Sequence, residues 1–152
     1  MKNLKRLLIK LSPASNRLPI AGLIFSVIGF LDASYLTVKF YVGGPIPCGF
    51  LKGCDTVASS KYSHIGNFPL ALLGVIFYFA CLALLIAYLD RRDGRLLGLF
   101  FYLACAGFAV SLGLVYLQVF VIGAICTYCM ASALSSTALF ALALRLLKYR
   151  VK

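Results

Sequence analysis

From Leu96 to Leu144 the chain carries no Asp, Glu, Lys, Arg or His. At 1.5 Å per residue a single helix of that length would run roughly 74 Å, more than twice the ~30 Å hydrocarbon core of a bilayer. The stretch must therefore hold two spans joined by a turn, and Gly123 is the breaker near its middle. A second uncharged run, Pro69 to Leu89, supplies another span, and the apolar segment Leu18 to Tyr41 a fourth. That first segment is too long for the apolar region of a signal peptide and no small-x-small cleavage site comes after it, so it is retained. The expectation is an all-α membrane protein: one integral domain over 1–152, a four-helix bundle with spans near 18–41, 69–89, 96–122 and 124–147.

Composition excludes the main alternative. A net charge of +11 invites a nucleic-acid reading, but 62% hydrophobic and 12% charged residues exclude an ordinary soluble basic domain. The bilayer is the environment and no nucleic-acid partner is expected. The cations also orient the chain. Lys2, Lys5, Arg6, Lys10 and Arg17 precede the first span, Arg91, Arg92 and Arg95 lie between the second and third, and Arg145, Lys148, Arg150 and Lys152 come after the fourth. Only Lys39, Lys52 and Lys61 fall on the other side, so the positive-inside rule puts both termini in the cytoplasm of a multi-pass plasma (inner) membrane protein.

With that orientation Cys48, Cys54, Cys126 and Cys129 all reach the outer, disulfide-permitting face, while Cys81 and Cys105 fall in mid-span and read as packing. Cys126-Thr127-Tyr128-Cys129 is a Cys-x-x-Cys pair in the first turns of the last span. Its sulfurs share one helix face, near the positive end of the helix dipole that favours thiolates. Cys48 and Cys54 lie in the loop after the first span, at a spacing comfortable for a disulfide. A flexible, exposed disulfide there would exchange easily, and a static staple is the plainer reading. Zinc is disfavoured by the oxidising side and by the spacing, so no metal is expected.

Gly43, Gly44, Pro45, Pro47 and Gly53 keep the first half of this loop irregular, and Cys54 to Tyr62 reads as a short helix lying on the membrane. Asp32, an acid in the outer half of the first span, is a functional candidate that can handle protons, against the plainer reading of a paired or hydrated carboxylate. His64 reads as an exposed loop histidine. Tyr35, Tyr41, Tyr62, Tyr88, Tyr128 and Tyr149 fall near span ends, where amphipathic rings sit well. Gly22 with Ser26, Gly107 with Ser111 and Ala131 with Ser135 are small pairs at helical spacing that allow close helix approach.

Four spans, a loop cysteine pair after the first, Cys54-Asp55-Thr56-Val57-Ala58-Ser59-Ser60-x-Tyr62 leading into Pro69-Leu70-Ala71-Leu72-Leu73-Gly74, and Cys-x-x-Cys opening the fourth span together resemble the vitamin K epoxide reductase family in its bacterial or archaeal form. The resemblance covers roughly Leu18 to Leu147. It implies a quinone-dependent membrane thiol-disulfide oxidoreductase that supports disulfide formation, with a function like that of the DsbB-type quinone reductases, whose own Cys-x-x-Cys comes after the first span instead. It implies that Cys129 faces a quinone (menaquinone, ubiquinone or similar), with Cys126 as its partner. Cys54 would exchange with Cys126, and Cys48 would meet a thioredoxin-like (DsbA-like) protein on the outer side. Ser60 matches the family's loop serine, which supports the site by hydrogen bonding.

Three departures stand out. Asn67-Phe68-Pro69 replaces the Gly-x-Pro of many relatives, and Asn tolerates the left-handed conformation such a turn needs. Ala133 stands where the animal enzymes have a tyrosine, which weakens quinone epoxide as a substrate. No fused thioredoxin-like domain comes after Lys152, so the partner is expected to be separate. Two readings from other classes compete: a small-molecule transporter, for which the spans offer few polar groups besides Asp32, and a structural tetraspan with static outer disulfides.

Overall fold

The computed structural model describes residues 13–44, 46 and 53–151. Cys48 and Lys52 lie outside these, as do Lys2, Lys5, Arg6, Lys10 and Lys152. Four helices are long and apolar enough to cross a membrane: Arg17–Val42, Leu70–Arg91, Gly94–Ile122 and Thr127–Tyr149. The first lies in α1 (Pro13–Val42) and the second is α3 (Leu70–Arg91). The third joins α4 (Gly94–Tyr116) to a π-helical end (Leu117–Ile122), and the fourth lies in α5 (Thr127–Val151). Between α1 and α3 come the short α2 (Cys54–Ala58) and two strands, β1 (His64–Ile65) and β2 (Phe68–Pro69). The chain is an all-α membrane bundle with this one small hairpin added.

The helix ends arise from local chemistry. α3 stops at Arg92, a left-handed residue at φ 55° whose amide donates to the Tyr88 carbonyl at 2.9 Å. Asp93 then opens α4, so two residues join a tight antiparallel pair. At the other end Gly123 takes φ 67°, a conformation in which a β-carbon would be strained, and breaks the long uncharged run where the sequence placed the turn. α5 begins only at Thr127, which leaves Cys126 in the turn just before the helix and not within it.

The spans form a closed ring in which α1 packs on α3 and α5, and α4 packs on the same two helices. The small pairs work as expected where they are buried: Gly22 lies under Leu85, Gly107 under Phe77, and Ser26 is fully enclosed. Lipid is as apolar as leucine, so such approach stabilises by contact and not by water release. The main core gathers Tyr78, Cys81, Leu85, Leu97, Phe100, Leu139 and Leu146. Outward-facing Leu31, Ile76, Phe79, Leu99, Val110 and Leu134 remain exposed, an apolar belt that only a bilayer can cover.

The loop is more structured and less helical than the sequence suggests. α2 ends at Ala58 because serines take its carbonyls: Ser59 Oγ donates to Asp55 at 2.6 Å, Ser60 Oγ to Val57 at 2.7 Å and Ser63 Oγ to Ala58 at 2.6 Å. The hairpin pairs His64 with Pro69 and Ile65 with Phe68, and its left-handed residue is Gly66 at φ 63°, not Asn67. His64 is half-buried against the Phe40 ring, with Ser63 Oγ 3.1 Å from its Nδ1.

Candidate redox site

Cys126 behaves as the N-cap of α5. Its carbonyl accepts the Met130 amide at 3.0 Å, and its sulfur accepts the Cys129 amide at 3.4 Å, the place where a serine or aspartate oxygen usually sits. Both Cys126 and Cys129 are free thiols, and Cys126 is 1% exposed. The hydrogen bond from Cys129's thiol, helped by the Cys129 and Tyr128 amides, brings the Cys126 thiol down to about 7 against the opposing effects of burial and the Asp32 charge. That lowering favours the thiolate, the form that attacks and leaves in disulfide exchange.

The turn holding Cys126 is itself held. Gln118, 3% exposed at the start of the π-helical end, accepts the Cys126 amide on its side-chain oxygen at 3.1 Å, and its backbone carbonyl accepts the Ala124 amide at 3.2 Å. π-helical turns gather at functional sites, where the extra residue re-aims the next stretch of chain.

Cys54 is disulfide-bonded and fully buried, which corrects the expectation of an exposed loop cysteine. It shares a small core with Ile46, Val57 and Cys126, flanked by Tyr35, Tyr128 and Cys129. The loop is keyed in place by Gly53: a β-carbon there would stand 2.6 Å from the Ile125 carbonyl oxygen and 2.8 Å from its nitrogen. The residue before Cys54 thus lies directly against the backbone of the residue before Cys126. Asp55 fastens the other side, its carboxylate accepting the Ile46 amide at 2.7 Å. Beside the pair, the Tyr35 and Tyr128 rings lie 5.1 Å apart.

Next to the cysteines a cavity of about 570 Å³ opens among α1, α3, α4 and α5. Cys126, Cys129, Asp32 and Ser60 all line it, so four of the residues singled out from the sequence converge. Ser60 donates its hydroxyl to Val57, within its own loop. Sequence reasoning missed Gln118, Gly53, Tyr78 and Ser132. The Tyr78 hydroxyl donates to the Ser132 carbonyl at 2.7 Å and lies 2.9 Å from its Oγ, and Ser111 bonds Ser136 at 2.6 Å, so α5 is tied to α3 and α4 at the cavity. Cys81 is fully buried in the main core and Cys105 half-buried on α4. Cys48 lies outside the described residues, and these contain no cluster of three metal-binding side chains.

The cavity joins an apolar wall to a few polar groups, among them Asp32, Tyr78, Gln118 and Ser132. Its volume is in the range of small-molecule sites. Its walls are largely hydrocarbon, and one Asp32 carboxylate oxygen is buried there without a partner. No curated protein matches the chain in sequence. Residues 20–144 match the model of the vitamin K epoxide reductase family. A match over most of the chain, on a four-span bundle with Cys54, Cys126 and Cys129 gathered at one end, establishes that this protein belongs to the vitamin K epoxide reductase family and is a membrane redox enzyme.

Proposed function

We propose that the chain oxidises a thioredoxin-like partner on the outer face of the plasma membrane and passes the electrons through Cys48/Cys54 and Cys126/Cys129 to a membrane quinone. The observation that carries this reading is the shared burial of Cys54 and Cys126 beside a cavity that Cys129 also lines. The cation bias supports cytoplasmic termini, because Arg91, Arg92 and Arg95 cap the end of the bundle away from the cysteines.

The exchange steps balance without outside help. A thiolate of the reduced partner attacks the Cys48–Cys54 disulfide at Cys48; a second partner thiol completes its oxidation, leaving two loop thiols. Cys54 as thiolate attacks Cys126 of the Cys126–Cys129 disulfide, forming a Cys54–Cys126 bond and releasing Cys129. Cys48 then attacks Cys54, which restores the loop disulfide and expels Cys126 as a thiolate. A quinone bound in the cavity supplies the acceptor for the two electrons and two protons of the reduced pair. Cys126, Cys129, Tyr78 and Ser132 would line its polar edge, Asp32 would handle a proton there, and Ser60 steadies the loop that covers it.

The test is a purified-protein assay of quinone reduction driven by a dithiol. Wild type should turn over, whereas Cys126→Ala and Cys129→Ala should each lose at least a hundredfold while remaining inserted. Replacing Cys48 or Cys54 should impair oxidation of a protein partner more than that of a small dithiol. Near-wild-type turnover in both terminal variants would end the reading, and redox states that never respond to quinone or dithiol would favour static disulfides.

A further inference from the structure

We propose that Gln118 is a positioning residue for thiol exchange, holding Cys126 in the one backbone conformation in which its sulfur is a competent leaving group. This role deepens the proposed function and rests on it for its place in the reaction, though not for its test.

Cys126 stands outside α5, so its amide has no helical acceptor, and in a 1%-exposed site an unpaired amide would be costly. Gln118 Oε1 satisfies it at 3.1 Å. The same residue's carbonyl receives the Ala124 amide just past Gly123, so one residue fixes both the start and the finish of the reversal that delivers Cys126. The widened π turn is what brings a side chain eight positions back onto that amide. With the backbone fixed, the sulfur occupies the N-cap acceptor position and receives the Cys129 amide.

That position matters in one step above all. When Cys48 attacks Cys54 of the Cys54–Cys126 bond, the new S–S bond forms between Cys48 and Cys54, the old one breaks, and its electron pair leaves on Cys126. A leaving thiol with greater acidity departs faster, so the donors around Cys126 direct cleavage toward a reduced terminal pair. The groups acting on this sulfur are Cys129 and the Tyr128 amide on α5 and Asp32 on α1; Cys54 on α2 is disulfide-bonded and does not titrate. Gln118 is uncharged, so its influence comes through geometry.

The experiment measures iodoacetamide labelling of Cys126 against pH in the full chain, free of quinone, with Cys54 kept in its disulfide and Cys126 and Cys129 reduced, the site being resolved by mass spectrometry. Turnover with dithiol and quinone is measured alongside. Gln118→Met removes the acceptor at similar size, and the labelling midpoint should rise by about one pH unit, the equivalent of roughly one lost hydrogen bond to the thiolate. Turnover should fall about tenfold. Gln118→Asn keeps the amide but, one methylene shorter, withdraws the acceptor from the Cys126 amide, and should raise the midpoint likewise. A Met variant that loses turnover with an unmoved midpoint would reduce Gln118 to a structural role and overturn the proposal. If the Met variant fails to fold, an unmoved midpoint in the Asn variant overturns it equally. Failure of quinone turnover in wild type would instead remove the proposed function and leave the labelling result standing.

Discussion

Cys81 and Cys126 are hidden equally well, at 0% and 1% exposure, yet they occupy different chemical worlds. Cys81 sits inside α3, where every neighbouring amide is already committed to the helix, among Leu85, Leu97 and Phe100. Cys126 sits one residue before α5, where the first amides have no helical acceptor and turn toward its sulfur. Burial silences the first. The same burial, supplied with donors and a second thiol, activates the other.

The sharpest way to break this comparison is to label both sites in one sample of reduced, folded protein. Cys126 lines the cavity, the route by which a small alkylating agent is expected to enter, whereas Cys81 does not line it. Because its thiol is lowered to about 7, labelling should be half-maximal there, level off above, and fall about tenfold for each pH unit below as the thiolate is protonated. Cys81 should stay unlabelled at every pH short of unfolding. Cys81→Ala should leave turnover within twofold and cost stability only about 1 kcal/mol, against the loss of activity expected at Cys126. Equal labelling of both cysteines in the folded state would show that helix position does not govern their reactivity.

How far the sequence could be read divides along the same line. The spans and the Gly123 turn were legible because a bilayer imposes length and forbids charge, constraints that act on single stretches. The Cys-x-x-Cys was legible as a motif, but its offset was not: cysteine is not an expected N-cap, so nothing local moved the helix start from 124 to Thr127. Ser59, Ser60 and Ser63 did carry a signal, since serines compete for helical carbonyls, and they cut α2 short. Gln118 was visible as the only amide side chain between Leu96 and Leu144, although its partner is evident only once the π turn is known. The burial of Cys54 and the Gly53–Ile125 contact are long-range packing, which one sequence does not display.

That contact gives a second, intermediate test. Gly53→Ala forces a β-carbon against the Ile125 backbone, which has no flexible end to yield, so the loop must lift from the turn before Cys126. Small displacements of reacting atoms cost up to about a hundredfold, and oxidation of a protein partner should fall at least tenfold. Oxidation of a small dithiol that reaches Cys126 through the cavity should fall far less. Gly98→Ala, where nothing lies within 4 Å of the added carbon, is the matched control and should be silent. Loss of the same size with both donors would mean that Gly53 supports the whole site and does not key the loop alone.

The smallest effect tests whether the two regions are coupled at all. Tyr78 belongs to the packed core, one helical turn before Cys81, yet its hydroxyl reaches Ser132 on α5, one turn past Cys129. It is the seam between the inert half and the reactive end. Tyr78→Phe keeps the ring against Gly29 and removes only the interhelical hydrogen bond, a contribution of about 0.6 kcal/mol for such bonds within membranes. The Ser132 Oγ is left at the cavity wall and can turn to its own helix, so the loss should stay near that figure. Unfolding in detergent should therefore shift slightly, with the Cys126 labelling midpoint within a few tenths of a pH unit of wild type. A midpoint shift of a full unit on so small a loss of stability would mean that the core sets the thiol's environment through Tyr78. The contrast between Cys81 and Cys126 would then reflect one continuous network and not two separate surroundings.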